Sequence, residues 1–267
     1  MTGASEMSAL EALRISREVS KAVREAVSGI VGRREAGENV GMGKDGTPTK
    51  KVDRVAEDAA LEVLKGYDVS VVTEESGVVG RGNIVVALDP VDGTFNAARG
   101  IPIYSVSMCF AERRGKQAKY KDAFFGYVCN LATGDEYYAD STAYKNGEII
   151  EVSRTKSVKE TNAIMYYPER NYGFKRVRIF GAASLEICFV ADGSVDCFID
   201  IRPGKGNGML RVYDVTAGLY VAEKAGAVVT TPEGKSVEEK SFTMEERFRL
   251  VVANDKLHRA LLDVLKS

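Results

Sequence analysis

The chain has 267 residues, 45% of them apolar, enough to bury a large core as one layered unit or as two closely joined subdomains. Its 37 Lys and Arg nearly balance 38 Asp and Glu, and the basic residues are dispersed, so nucleic acid and anionic membranes are disfavoured as partners. No apolar run approaches the ~18 residues that span a bilayer, and Met1 to Met7 lacks the apolar core of a signal peptide, so the expected location is cytoplasmic.

In chain order, Leu10, Leu13, Val19, Val23, Val27 and Ile30 recur at helical spacing and predict a long first helix ending near Gly32. The stretch from Gly41 to Pro48 has no periodicity and reads as a glycine-rich loop suited to act as a lid. Val52, Val55, Ala56, Ala59, Val63 and Leu64 share one face of a second helix. Strand-like segments follow at 69–73, 84–88, 103–111 and 123–130, with turns at Arg81-Gly82 and Lys145-Asn146-Gly147. After about Glu160 the pattern alternates: helix 184–192, strand 195–200, helix 214–225, a strand near Val228, a strand at 250–253 and a closing helix. The division is therefore soft, with residues 1–160 forming an α+β subdomain and residues 161–267 a smaller α/β subdomain. Cys109, Cys129, Cys188 and Cys197 lie in apolar surroundings without the close pairing of a zinc or redox site, and are read as buried thiols. The single histidine, His258, falls in the amphipathic closing segment, where a surface position is expected; a histidine-based triad is excluded.

The chemistry concentrates where two strands end. Leu88-Asp89-Pro90-Val91-Asp92-Gly93-Thr94 directly follows the apolar run Ile84 to Ala87. Pro90 forces a bend between the two Asp residues, Gly93 permits close backbone approach, and Thr94 brings a hydroxyl beside backbone N–H groups that suit an anion. Thr73-Glu74-Glu75-Ser76 closes the preceding run, so two strand ends present acids. Glu74, Asp89 and Asp92 match the oxygen ligands that hard cations such as Mg²⁺ take alongside water and substrate phosphate. The competing reading is a polar turn, since Asp, Pro and Gly are common turn residues. Asp53 has the same ambiguity, because an N-cap role alone accounts for an Asp at the start of the second helix. Asp214 likewise opens a later helix.

Five ordered segments resemble the Mg²⁺-dependent inositol monophosphatase and fructose-1,6-bisphosphatase superfamily: Thr49-Lys50-Lys51-Val52-Asp53, Thr73 to Ser76, Asp89 to Thr94, Gly181-Ala182-Ala183-Ser184, and Asp214-Val215-Thr216-Ala217-Gly218. The resemblance implies a layered α-β-α-β-α fold of the α+β class and hydrolysis of a phosphorylated sugar or polyol. It also implies two or three Mg²⁺ held by Glu74, Asp89, the Val91 carbonyl, Asp92 and Asp214, with Asp89 bridging two of them. Glu74 and Thr94, backed by Asp53, would orient the attacking water. Asp92, Gly93, Thr94 and Ala183 would meet the substrate, with Glu75 supporting a metal through water. Asp200 matches an acid that binds substrate hydroxyls in monophosphatases, and Arg202 shares its strand face. Arg202, with Arg178 and Tyr166, Tyr167 and Tyr172, would suit a phosphate distant from the metals, although ordinary surface roles explain them equally. A homodimer is the family habit.

Two departures narrow the resemblance. Tyr213 stands where inositol monophosphatases commonly carry Trp, and residues 204–208 read Gly-Lys-Gly-Asn-Gly. With Asp45-Gly46-Thr47-Pro48-Thr49-Lys50 in the lid, they resemble the archaeal-type enzymes that act on both fructose 1,6-bisphosphate and inositol 1-phosphate. The alternatives are a 3'(2'),5'-bisphosphate nucleotidase, for which no base-stacking motif is seen, and a non-catalytic regulator on the same fold. A haloacid dehalogenase-type phosphatase is disfavoured because Pro90 stands where the nucleophile of its Asp-x-Asp-Gly-Thr motif would be required, and because that motif normally opens the domain.

Overall fold

A computed structural model describes residues 7–204 and 208–266; Lys205, Gly206 and Asn207 of the glycine-rich 204–208 segment lie outside the described residues. Helix α1 (Ala9–Val27) starts at Ser8, whose hydroxyl accepts the Glu11 N–H at 3.1 Å, and buries Ala12, Ile15, Val19, Val23 and Val27 along one face. It ends at Val27, before the expected Gly32, because the chain tightens into successive turns in which Ile30 N–H bonds to Val27 and Arg33 N–H to Ile30. The segment expected to be an aperiodic loop is instead a hairpin, β1 (Asn39–Met42) and β2 (Pro48–Lys50). Its tip turns at Asp45-Gly46, with Gly46 at φ +88° and Asp45 Oδ1 accepting the Thr47 N–H at 2.7 Å. Helix α2 (Lys51–Leu64) follows.

The large sheet contains β3 (Val69–Thr73), β4 (Gly77–Gly80), β5 (Ile84–Asp92), β6 (Ser105–Glu112), β7 (Ala123–Asn130), β8 (Glu136–Ala139), β9 (Ala143–Lys145) and β10 (Glu148–Ile149). Its order is β10-β9-β8-β7-β6-β5-β3-β4, and every pair is antiparallel except β3 with β5, where Thr73 lies opposite Leu88. A short helix, α3 (Thr94–Arg99), leaves the end of β5. The second sheet takes β11 (Asn162–Met165), β12 (Arg176–Arg178), β13 (Cys197–Asp200), β15 (Ala227–Thr230) and β17 (Leu250–Asn254), in the order β12-β11-β13-β17-β15. Between them in sequence lie α4 (Ala183–Ala191), the small pair β14 (Leu210–Arg211) and β16 (Arg247–Phe248) and α5 (Val212–Lys224), and α6 (Asp255–Lys266) follows the last strand.

Alternation along the strands sorts the side chains into three cores. Val69, Val71, Val86, Leu88, Val106, Met108 and Phe110 pack with α1 and α2. Their neighbours Val72, Val85, Ala87, Cys109 and Ala111 point the other way, onto α4 and α5. The far side of α4 and α5 meets Ile164, Phe198 and Val252, whereas Ala163, Met165, Cys197, Ile199 and Val251 face Leu257 and Leu261 of α6. The result is the layered α-β-α-β-α arrangement.

Helix α5 is held tightly on both sides. A Cβ on Gly218 would lie 2.6 Å from the Ser184 carbonyl oxygen of α4, and one on Gly126 of β7 would lie 2.9 Å from the Ala217 carbonyl oxygen. Glycine at both positions lets backbone approach backbone. All four cysteines are buried free thiols. His258 is buried as well, contrary to the surface expectation: it shares the inward face of α6 with Leu257 and Leu261, and its Nε2 lies 2.9 Å from Thr230 Oγ1. No helix among the described residues is long and apolar enough to cross a membrane.

Candidate active site

The parallel pairing of β3 and β5 brings the ends of both strands to one edge, so the Glu74 turn lies beside Asp89 and Asp92. Asp92 does more than close a turn. Its Oδ1 accepts the Ala183 N–H at 2.9 Å, and its Oδ2 accepts those of Ser184 at 2.8 Å and Leu185 at 3.4 Å, so it caps α4 from another element. Asp89 Oδ1 accepts the Val91 N–H at 3.0 Å, which fixes the bend around Pro90. Asp214, in the first turn of α5, accepts the Arg211 N–H at 2.7 Å. Gly93 takes φ +95°, and a Cβ there would meet the Ile103 carbonyl at 3.0 Å.

The remaining members converge from α2 and the hairpin. Thr94 Oγ1 donates to Asp53 Oδ1 at 2.9 Å and also lies 3.3 Å from the Val91 carbonyl oxygen. The other Asp53 oxygen accepts the Lys50 N–H at 3.3 Å, so capping of α2 and contact with Thr94 coexist in one carboxylate. Glu74 accepts the Thr47 hydroxyl at 3.0 Å, placing the hairpin tip against it. Glu75 is turned away from Glu74 and accepts the Thr49 hydroxyl.

Asp53, Asp89 and Asp92 are buried and Glu74 and Asp214 half-buried, near enough for their charges to act on one another, and their proton affinities rise accordingly. Burial pushes Glu74 up to about 8, aided by the charges of Asp214 and Asp45. Asp92 rises to about 8 through burial, then through Asp214 and Glu186. Asp89 is raised well above the usual range by burial and by Asp92, Asp214 and Glu74. Asp53 rises to about 7 by burial, and Asp214 to about 6, burial being offset by the Arg211 N–H and the nearby Arg211 and Arg247 charges.

Among the described residues, no three His, Cys, Asp or Glu side chains are gathered closely enough to hold an ion as they stand. The donor set nonetheless fits a divalent cation. It consists of hard carboxylate oxygens whose mutual repulsion is only partly offset by the N–H groups of α4 and by Arg211 and Arg247, and such a group is stabilised at neutral pH when further positive charge joins it.

The predicted residues on the second sheet are arranged differently. Asp200 is wholly buried, and both its oxygens are taken by Arg202, with Nε to Oδ1 at 2.9 Å and Nη2 to Oδ2 at 2.6 Å. The Arg202 guanidinium also stacks on Tyr166 and Tyr167, at 4.8 and 5.3 Å from the ring centroids. Tyr166 donates its hydroxyl to Glu186, which also accepts the Phe180 and Gly181 N–H groups and so orders the turn leading to Ala183. Arg178 lies exposed on the edge strand β12, donating to the Val177 carbonyl. Tyr172 stacks with Phe174 beside the α6 core.

Sequence reading missed four contributors. Glu57, fully buried, accepts the Thr73 hydroxyl and the Glu75 N–H and thereby fixes the turn that carries Glu74. Glu186, Asp45 and Arg211 complete the group. The Asp45-Gly46 pair was a readable hairpin signal, but the Arg211 contact joins positions 166 apart and leaves no local trace.

A profile for the inositol monophosphatase family matches residues 7–267. An Archaeoglobus fulgidus protein named fructose-1,6-bisphosphatase/inositol-1-monophosphatase is 61% identical over 96% of this chain and 98% of its own length. A Methanothermobacter thermautotrophicus protein of the same name is 35% identical over 94% and 95%. A solved structure titled inositol monophosphatase-fructose 1,6 bisphosphatase superimposes with a TM-score of 0.82 at 29% identity, covering 94% of this chain and 98% of its own. Matching in sequence along nearly its whole length and in layered architecture, the chain belongs to the inositol monophosphatase family.

Proposed function

We propose that this phosphatase releases phosphate from fructose 1,6-bisphosphate, at C1, and from inositol 1-phosphate, using Mg²⁺. The observation that carries the reading is the relative 61% identical end to end, whose name joins both activities. The convergence of Glu74, Asp89, Asp92 and Asp214 supports it: they and the Val91 carbonyl would hold two or three ions. When bound, the cations supply positive charge that acidifies the attacking water and screens the phosphate and the leaving alkoxide.

The chain's own groups do the rest. Thr94 Oγ1 donates its proton to Asp53, which leaves its lone pairs free to accept a hydrogen bond from the water, while Glu74 orients the water from the opposite strand end. The Gly93 and Thr94 N–H groups receive phosphate oxygens, and Asp92, already fixed on the N–H groups of α4, meets the substrate beside Ala183. Asp200 and Arg202 act as a pair at the sugar end: substrate hydroxyls or a distal phosphate compete for a guanidinium now held by a carboxylate. Arg178 supplies further positive charge at that rim.

A second reading has one specific support. A Methanocaldococcus jannaschii protein named bifunctional NADP phosphatase/NAD kinase is 31% identical over 95% of this chain, which spans half its length. The test is phosphate release with and without Mg²⁺ from fructose 1,6-bisphosphate, inositol 1-phosphate, NADP⁺ and adenosine 3',5'-bisphosphate at matched concentrations. Mg²⁺-dependent turnover of the first two is expected. Preferential turnover of a nucleotide would overturn the substrate assignment, and full activity in EDTA would overturn the metal assignment.

A further inference from the structure

Hairpin β1–β2 projects from the body with the whole of β1 exposed, including Val40 and Met42. Thr49 of β2 is the one buried residue of its strands and is bonded to Glu75 at the base, so the position of the tip depends on polar contacts made there. Thr47 donates to Glu74, the Lys44 N–H bonds to the Glu75 carbonyl at 3.1 Å, and Asp45 approaches Arg211. The last contact differs from the others because it reaches another part of the chain. Arg211 is the residue that opens α5, three positions before Asp214.

The ion pair is well sheltered. Arg211 Nη2 lies 3.1 Å from Asp45 Oδ2, with the two side chains 17% and 1% exposed, and 3.4 Å from the Asp45 carbonyl oxygen. The Oδ2 atom has no aligned hydrogen-bond donor, so the contact is chiefly one of charge. The opposite carboxylate oxygen accepts the Thr47 N–H at 2.7 Å and lies 2.8 Å from the Thr47 hydroxyl oxygen, whose single proton is given to Glu74. A continuous path therefore runs from Arg211 through Asp45 and Thr47 to Glu74.

We infer that Arg211 is a positioning residue that latches the β1–β2 hairpin over the carboxylates and thereby orients Glu74 relative to Asp214. Releasing the guanidinium loosens the hairpin tip, because it leaves only the contacts of Lys44, Thr47 and Thr49 with the Glu74-Glu75 turn and, among the contacts described, none to the second half of the chain. The inference rests on the proposed role of Glu74 only for its kinetic consequence; the latch itself is a property of the substrate-free protein.

The test measures amide hydrogen exchange of residues 41–47 in the full chain without substrate, for the parent protein, Arg211→Ala, Arg211→Lys and Asp45→Asn. Arg211→Ala and Asp45→Asn should each speed exchange of the hairpin amides at least tenfold, and the double variant should add little, since both break one contact. Arg211→Lys should retain most of the protection because the contact is one of charge, and it serves if the alanine variant folds poorly. Arg249→Ala, which removes the 2.7 Å ion pair with Glu233 elsewhere, should leave hairpin exchange unchanged. In turnover assays Arg211→Ala should lower kcat on the order of ten- to hundredfold through misplacement of Glu74. Unchanged hairpin exchange in Arg211→Ala, or additive effects of the two substitutions, would overturn the latch. Faster exchange with unaltered kcat would keep the latch and refute its link to Glu74.

Discussion

Gly218→Ala sets two opposing effects against each other at the contact between α4 and α5. Within a helix, alanine is favoured over glycine by about 1 kcal/mol, so propensity alone predicts a more stable protein. The added methyl would lie 2.6 Å from the Ser184 carbonyl oxygen and 3.1 Å from Ile187 Cβ. The first obstacle is backbone inside a buried helix, which has no rotamer to change, so α5 must shift away from α4. Overpacking of this kind costs about 1–3 kcal/mol, and rigidity of the obstacle favours the upper end. The net expectation is destabilisation by about 1–2 kcal/mol, which for a chain of this size lowers Tm by roughly 2–4 °C. Because the same shift moves Asp214 relative to Asp92, Mg²⁺-dependent kcat should fall together with Tm. Differential scanning calorimetry alongside phosphate-release kinetics measures both. A Tm equal to or above that of the parent would refute the close-approach argument, showing that α5 has room and that propensity decides.

Two further outcomes follow from buried polar groups. Burial lowers the pKa of His258 below its ordinary value, so the folded state binds fewer protons than the unfolded chain; stability is present above the unfolded pKa near 6.5 and is lost as pH falls. His258→Gln should shrink the Tm difference between about pH 7.5 and pH 5.5, and an undiminished difference would assign the acid sensitivity elsewhere. The Tyr213 hydroxyl is buried without a hydrogen-bond partner. Tyr213→Phe should therefore raise the stability of the metal-free protein by about 1–2 kcal/mol, measured by urea unfolding in EDTA, and a loss of stability would show that the hydroxyl is bonded in solution.

The elements legible in sequence were those with strong periodicity. Helices α1 and α2 declared an apolar face, and β3 and β7 were bounded as read. Strands β8 to β12 have four residues or fewer, too short for even the alternating burial of β8 to stand out from the flanking loops in sequence. The His258 error came from treating an amphipathic helix as mostly surface, although Leu257, His258 and Leu261 share the inward face. In the site, the strand-end acids were readable because Pro90 and Gly93 punctuate them. The pairing of Asp200 with Arg202 was half readable: spacing placed both on one strand face, but whether they meet a ligand or each other depends on the aromatic wall of Tyr166 and Tyr167. The Asp45–Arg211 contact crosses 166 positions and was invisible to any local pattern.

The parallel register of β3 and β5 determines where this chain tolerates added length. Thr73 faces Leu88, so the rungs immediately beyond them carry Glu74 and Asp89. One residue inserted inside either strand would turn the following side chains to the opposite face and send an acid into the apolar layer beneath α1 or α4. The exposed connection at residues 114–117, between β6 and β7, carries no such constraint, since Gly115 there meets no neighbouring atom and added length is absorbed before β7 begins, whereas the Arg81-Gly82 turn is pinned by the buried Gly82 against Asp68. Natural or engineered insertions compatible with activity should therefore collect in the connections at the sheet end remote from the acids, and an inserted peptide tag or reporter domain is best placed there.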